Sequence, residues 1–173
     1  MGLTNRFVQV DIYTPSHRVV GKVQVSTSGL GGLINDPTTS YLRVYEASLA
    51  RIHMPTKLAG QYSMVELTKR GIYAVCVRRR EDLGPLRRGG FSRLFEYEVT
   101  AISSVYEIQG TFLWGHQFDS SVILIEGNSD FLTFYDATLQ ATLFPNLRVQ
   151  AAAALINRRK IDIFIHKKSP QKK

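Results

Sequence analysis

One cysteine, one tryptophan and three methionines in 173 residues leave little redox or soft-metal chemistry to consider. A lone Cys76 closes no internal disulfide and builds no cysteine zinc site. Its place in an alternating apolar stretch marks it as a buried structural thiol. Apolar runs such as Val122-Ile-Leu-Ile125 fall far short of the roughly 18 residues a membrane helix needs. The amino end has no basic-then-apolar leader layout, and Arg6 stands where a myristoylation motif after Gly2 wants Ser or Thr. The expectation is a cytoplasmic protein with no membrane span. His17, His53 and His166 are isolated, without ligand spacing between them, so neither metal nor cofactor is expected.

What is present is the composition of a folded chain, 44% hydrophobic and 21% charged. Its main feature is an internal repeat. His17-Arg-Val-Val-Gly21 matches Tyr106-Glu-Ile-Gln-Gly110, and Tyr41-Leu-Arg-Val-Tyr-Glu-Ala-Ser-Leu49 matches Phe131-Leu-Thr-Phe-Tyr-Asp-Ala-Thr-Leu139. Pro55 falls on Pro145, and Leu67 to Val77 falls on Leu155 to Ile165. The separation drifts from 89 at the glycines to 90 at the leucines and 88 near the end, as small loop indels would cause. The chain then divides into a first β unit (1–77), a basic linker (78–93), a second β unit (94–165) and a basic tail (166–173).

Each copy helps to interpret the other. Residues 8–13 and 18–25 alternate around Thr14-Pro-Ser-His17, predicting two strands and a turn, with 95–102 and 106–113 as their equivalents. Gly21 and Gly110 inside the second strand of each unit predict a bulge or sharp bend. Residues 41–45, 47–52, 131–135 and 137–143 are β-branched and aromatic, which predicts further strands. Val149-Gln-Ala-Ala-Ala-Ala-Leu-Ile156 favours helix by alanine propensity, but the matching Gly60-Gln-Tyr-Ser-Met-Val-Glu-Leu67 does not, so both segments are expected to be strands. Residues 72–77 and 161–165 close each unit as alternating strands.

Five or six short strands in about 70 residues predict an all-β fold of two tandem small barrels or bent sheets, SH3-like or Sm-like. Leu33-Ile-Asn35, Tyr41 to Ala47, Phe131-Leu-Thr-Phe-Tyr-Asp-Ala137 and Leu155-Ile-Asn-Arg158 make the chain similar to a bacterial family of short β-rich modules described only as a domain of unknown function. The resemblance covers most of both copies. Copy one departs from it at Thr68-Lys69, and copy two has Ile125 where the loop asparagine would stand. It implies a structural pattern and no catalytic residues.

The net charge of +8 is uneven. The first unit carries +4, the linker +4, the second unit −4 and the tail +4, so linker and tail hold the whole surplus. The candidate polyanion-binding residues are Arg78, Arg79, Arg80, Arg87, Arg88 and Arg93 in the linker and Lys167, Lys168, Lys172 and Lys173 in the tail. Clusters of this kind attract phosphate polymers by counterion release, and Phe91 within the Arg-Gly-Gly run offers a stacking ring. A solvated linker and tail explain them equally. The opposite charges of the units permit heterologous self-association, with Arg18 aligned to Glu107 as the sharpest inversion.

No catalytic constellation emerges. Ser26-Thr-Ser-Gly-Leu-Gly-Gly32 lacks the Lys-Ser/Thr of a phosphate-binding loop and is expected to be a mobile loop. His116, Asp119 and Ser120 are expected to form a surface turn, and Glu96 and Glu98 an exposed strand face. The functional expectation is a non-enzymatic interaction or scaffolding module, with a protein partner or self-association. Nucleic-acid binding through the linker and tail is the alternative, and no small-molecule substrate is indicated.

Overall fold

The structure is a computed structural model, and it describes residues 5–86, 93–115, 117–127 and 129–168. Ten strands form: β1 (Arg6–Tyr13), β2 (His17–Val25), β3 (Tyr41–Arg51), β4 (Leu58–Thr68), β5 (Ala74–Val77), β6 (Phe95–Ile102), β7 (Tyr106–Trp114), β8 (Phe131–Ala141), β9 (Arg148–Asn157) and β10 (Ile163–Lys168). Among the described residues a short helix, α1 (Gly29–Ile34), follows β2, and a helical turn, Val122–Glu126, follows β7. The strands make a single antiparallel sheet in the order β10-β6-β7-β8-β9-β5-β1-β2-β3-β4. The halves therefore have the same internal order, β5-β1-β2-β3-β4 and β10-β6-β7-β8-β9.

The all-β expectation holds, but the sheet is not closed into barrels. β5 pairs with β9 of the other half, and β4 and β10 are the two ends of the sheet. A four-residue β5 buried on both faces explains this arrangement. Val75 and Val77 belong to the core of the first half, whereas Ala74 and Cys76 belong to that of the second. On β9, Ala154 and Ile156 serve the second core while Ala153 and Leu155 serve the first. Units of this size bury a smaller share of their surface than larger domains do, and here each half lends residues to the core of the other.

The alternation of β1 is regular, with Val8, Val10 and Ile12 buried. Glycine does the bending. The ladder slips between Val20 and Lys22 where β2 meets β3, and between Gln109 and Thr111 where β7 meets β8. Opposite these slips, Glu46 and Asp136 hold positive φ angles of 49° and 48°. An added Cβ at Gly21 would sit 2.7 Å from the Tyr45 carbonyl, and at Gly110 2.9 Å from that of Tyr135. β3 is consequently one bent strand where the sequence suggested two.

The alanine-rich segment is a strand, as its counterpart in the first half required. The repeat alignment needs one correction there. Leu67 pairs with Leu42, and Ile156 with Leu132, so the equivalent of Leu67 is Ile156 and not Leu155. Identity at Leu155 had drawn the alignment one residue out of phase, which in a strand points the side chain to the opposite face.

The glycine-rich stretch is another correction. Residues 29–34 are helical, with Leu30 and Ile34 buried, and the turn Arg80–Leu83 packs against them. Gly29, at φ +67°, approaches Gly84 so closely that a Cβ would lie 2.4 Å from its Cα. These glycines serve backbone contact.

Candidate interaction edges

The β5–β9 junction shows how this sheet joins one half to the other. Ala74 faces Ile156, Val75 faces Leu155, Cys76 faces Ala154 and Val77 faces Ala153, and all eight residues are buried. The Asn157 amide group donates to the Ile72 carbonyl at 2.9 Å, and the Asn157 N–H to that of Tyr73 at 2.9 Å. Burial pushes the Cys76 thiol well above its ordinary value, which leaves it neutral and unreactive.

The outer strands present the opposite picture. Among the described residues neither β4 nor β10 has a second strand partner. Leu58, Tyr62 and Met64 on β4 are exposed, and so are Ile163 and Ile165 on β10, both at 53%. On the inward face of β4, Val65 and Leu67 pack only partly against the first core. Phe164 packs against the second core, and His166 stacks on Phe118 with ring centroids 4.0 Å apart. Each edge thus keeps one apolar face on its own core and leaves a row of backbone N–H and C=O groups open. Edge position is a tertiary property, which is why Tyr62, Met64, Ile163 and Ile165 escaped sequence reasoning.

Two of the basic candidates, Arg79 and Arg80, are ion-paired. Arg79 donates to buried Asp82 at 2.9 Å, which also receives Arg6 at 2.6 Å. Burial opposes the charge of Asp82, but the hydrogen bonds from Arg79 and Arg6 outweigh it and hold this carboxyl below the ordinary range. Arg80 pairs with Asp136 at 2.6 Å and lies over the Tyr135 ring. Arg93 lies over Phe95, and Arg78 is exposed. Lys167 is exposed on β10, and the strand runs on through Lys168. Arg87, Arg88, Lys172 and Lys173 lie outside the described residues, as do Phe91 and His116.

An open groove of about 680 Å³ runs between Phe7, Tyr45 and the start of the linker. Of its cations, Lys22 pairs with Glu46 and Arg79 with Asp82, which is shared with Arg6, and Arg78 adds further positive charge there. Arg18 has an acid beside it within its own half. It forms a two-pronged pair with Asp11, at 2.9 and 2.6 Å, within the first half, while Glu107 accepts from Gln109. Asp119 caps its own turn through the Ser121 hydroxyl and N–H, and Glu96 and Glu98 are exposed. Among the described residues no group of three or more metal-ligating side chains converges, and no helix is long and apolar enough to cross a membrane.

Compared with known proteins, the chain matches no family model, no curated protein and no solved structure.

Proposed function

We propose that the chain is a non-enzymatic interaction module that engages polypeptide partners by strand addition at the open edges β4 and β10. One observation carries this reading: two unpaired edges of a single sheet bear exposed large apolar side chains, Tyr62 and Met64 on one, Ile163 and Ile165 on the other. Unused edges are usually blunted by proline, inward charge or a covering loop. β4 contains no proline and a single charge, Glu66. Main-chain pairing supplies affinity in such contacts, and alternate side chains supply selectivity.

A photo-crosslinking residue placed at Tyr62 or Ile165 in cells tests the proposal. Discrete polypeptide adducts at these edges, absent when the probe sits at exposed Arg51 or Leu143, are the expected result. Equal labelling at all four positions, or none, overturns it. The nucleic-acid alternative has less support, because Arg79 and Arg80 spend their charge on Asp82 and Asp136.

A further inference from the structure

We infer that the partner at these edges is a second copy of the same chain: β4 of one molecule pairs antiparallel with β10 of the next, in the register by which β9 and β5 pair within one chain. The inference rests on the strand-edge reading above and names its occupant.

The equivalences come from the ladders. β3 meets β4 as β8 meets β9, with Leu42 across from Leu67 and Leu132 across from Ile156. β1 meets β5 as β6 meets β10, with Asp11 across from Cys76 and Thr100 across from Ile165. β4 is therefore the first half's version of β9, and β10 is the second half's version of β5. The chain contains the β9–β5 contact once, closed and buried. It also carries the two surfaces for making that contact again, one at each end of the sheet.

Transferring the internal register places Leu67 across from Ile163, Glu66 from Phe164, Val65 from Ile165 and Met64 from His166. The side-chain faces agree with that placement. Ala74 and Cys76 project away from their own core and fill the neighbouring one, and their counterparts on β10 are exposed Ile163 and Ile165. In the second copy these would lie beside Val65 and Leu67, which are only partly covered in the single chain. Charge does not oppose the placement: Glu66, the one charged residue of β4, falls opposite Phe164 and already pairs with Arg43 at 2.9 Å. Ser63, two positions beyond Val65, falls opposite Lys167, so no like charges meet. The contact joins unlike surfaces, and repetition makes a ring or an open filament according to the rotation per copy.

Single-cysteine variants of the full chain test this. Met64→Cys protein mixed with His166→Cys protein should form an oxidised dimer, whereas Met64→Cys alone, His166→Cys alone, or Tyr62→Cys mixed with His166→Cys should not. Light scattering of the unmodified chain over about a hundredfold range of concentration should show growing mass, and Ile165→Lys should abolish it while keeping the thermal midpoint that the unmodified chain has at the dilute, monomeric end of that range. A chain monomeric throughout that range overturns the inference, as does dimerisation of either single variant alone, which would mean like edges pairing. A monomeric chain that still gives edge-specific adducts of other masses in cells overturns the second-copy partner and leaves the strand-edge reading standing. Loss of the adducts at both edges removes that reading too.

Discussion

The hydroxyl of Tyr106 donates a 2.6 Å hydrogen bond to the backbone carbonyl of Thr14, 92 residues earlier in the chain. Tyr106 is fully buried at the boundary between the halves, with the rings of Tyr13 and Tyr73 edge-on to it at 5.7 and 5.6 Å. Burial raises its phenol far above the ordinary value, so it remains a neutral donor across the accessible pH range.

Replacing that hydroxyl tests how firmly the halves depend on each other. Tyr106→Phe leaves the Thr14 carbonyl without its partner and should cost about 1–3 kcal/mol. Urea unfolding followed by both fluorescence and far-ultraviolet circular dichroism should still give one coincident transition. Two separated transitions would mean that the halves fold independently.

The two bulge glycines should respond unequally to alanine. A Cβ at Gly21 meets Val44 Cγ1 at 2.6 Å and the Tyr45 carbonyl at 2.7 Å; at Gly110 the nearest atoms are at 2.9 and 3.0 Å. Both variants should lose stability, on the order of 1–3 kcal/mol for forced overpacking, with Gly21→Ala the worse. The denaturation midpoint of each is the measurement, and a neutral Gly21→Ala would contradict the bulge geometry.

Asp82 gives a pH signature. Its folded carboxyl sits below the ordinary value of about 4, so its stabilising contribution is complete above that value. That contribution is lost as pH falls through the lowered folded value. Asp82→Asn should lower the melting temperature near neutral pH and flatten the acid side of the stability profile. A variant profile parallel to the parent's would show that the pairs with Arg6 and Arg79 contribute nothing.

Binding of RNA or DNA should be weak. With Arg79 and Arg80 committed to acids, Arg78 and Arg93 are the described linker cations left to test. A salt titration should show a shallow slope, since each neutralised phosphate contributes about one unit to it. A steep slope removed by Arg78→Ala and Arg93→Ala would restore the nucleic-acid reading.

The strands were legible because alternation is a local property: Val8, Val10 and Ile12 declare a half-buried strand wherever it ends up. The alanine run of β9 was legible only through its counterpart, since alanine alone favours helix. Gly21 and Gly110 announced a bend, and the slipped ladders supply it. The glycine-rich stretch misled because close backbone packing and loop freedom both call for glycine; Gly84, 55 residues beyond Gly29, decides between them. The partner of Arg18 was not legible either, since Asp11 lies on the neighbouring strand.

By itself the sequence determined that this chain is built of strands, where they bend, and that its two halves repeat one order of elements. Periodicity and side-chain shape act over a few residues, so they survive without knowledge of the rest. Only the tertiary structure decided that β5 joins β9, leaving β4 and β10 at the ends. Any strand edge offers the same backbone groups, and the choice among edges depends on which side chains become buried once all ten strands have assembled.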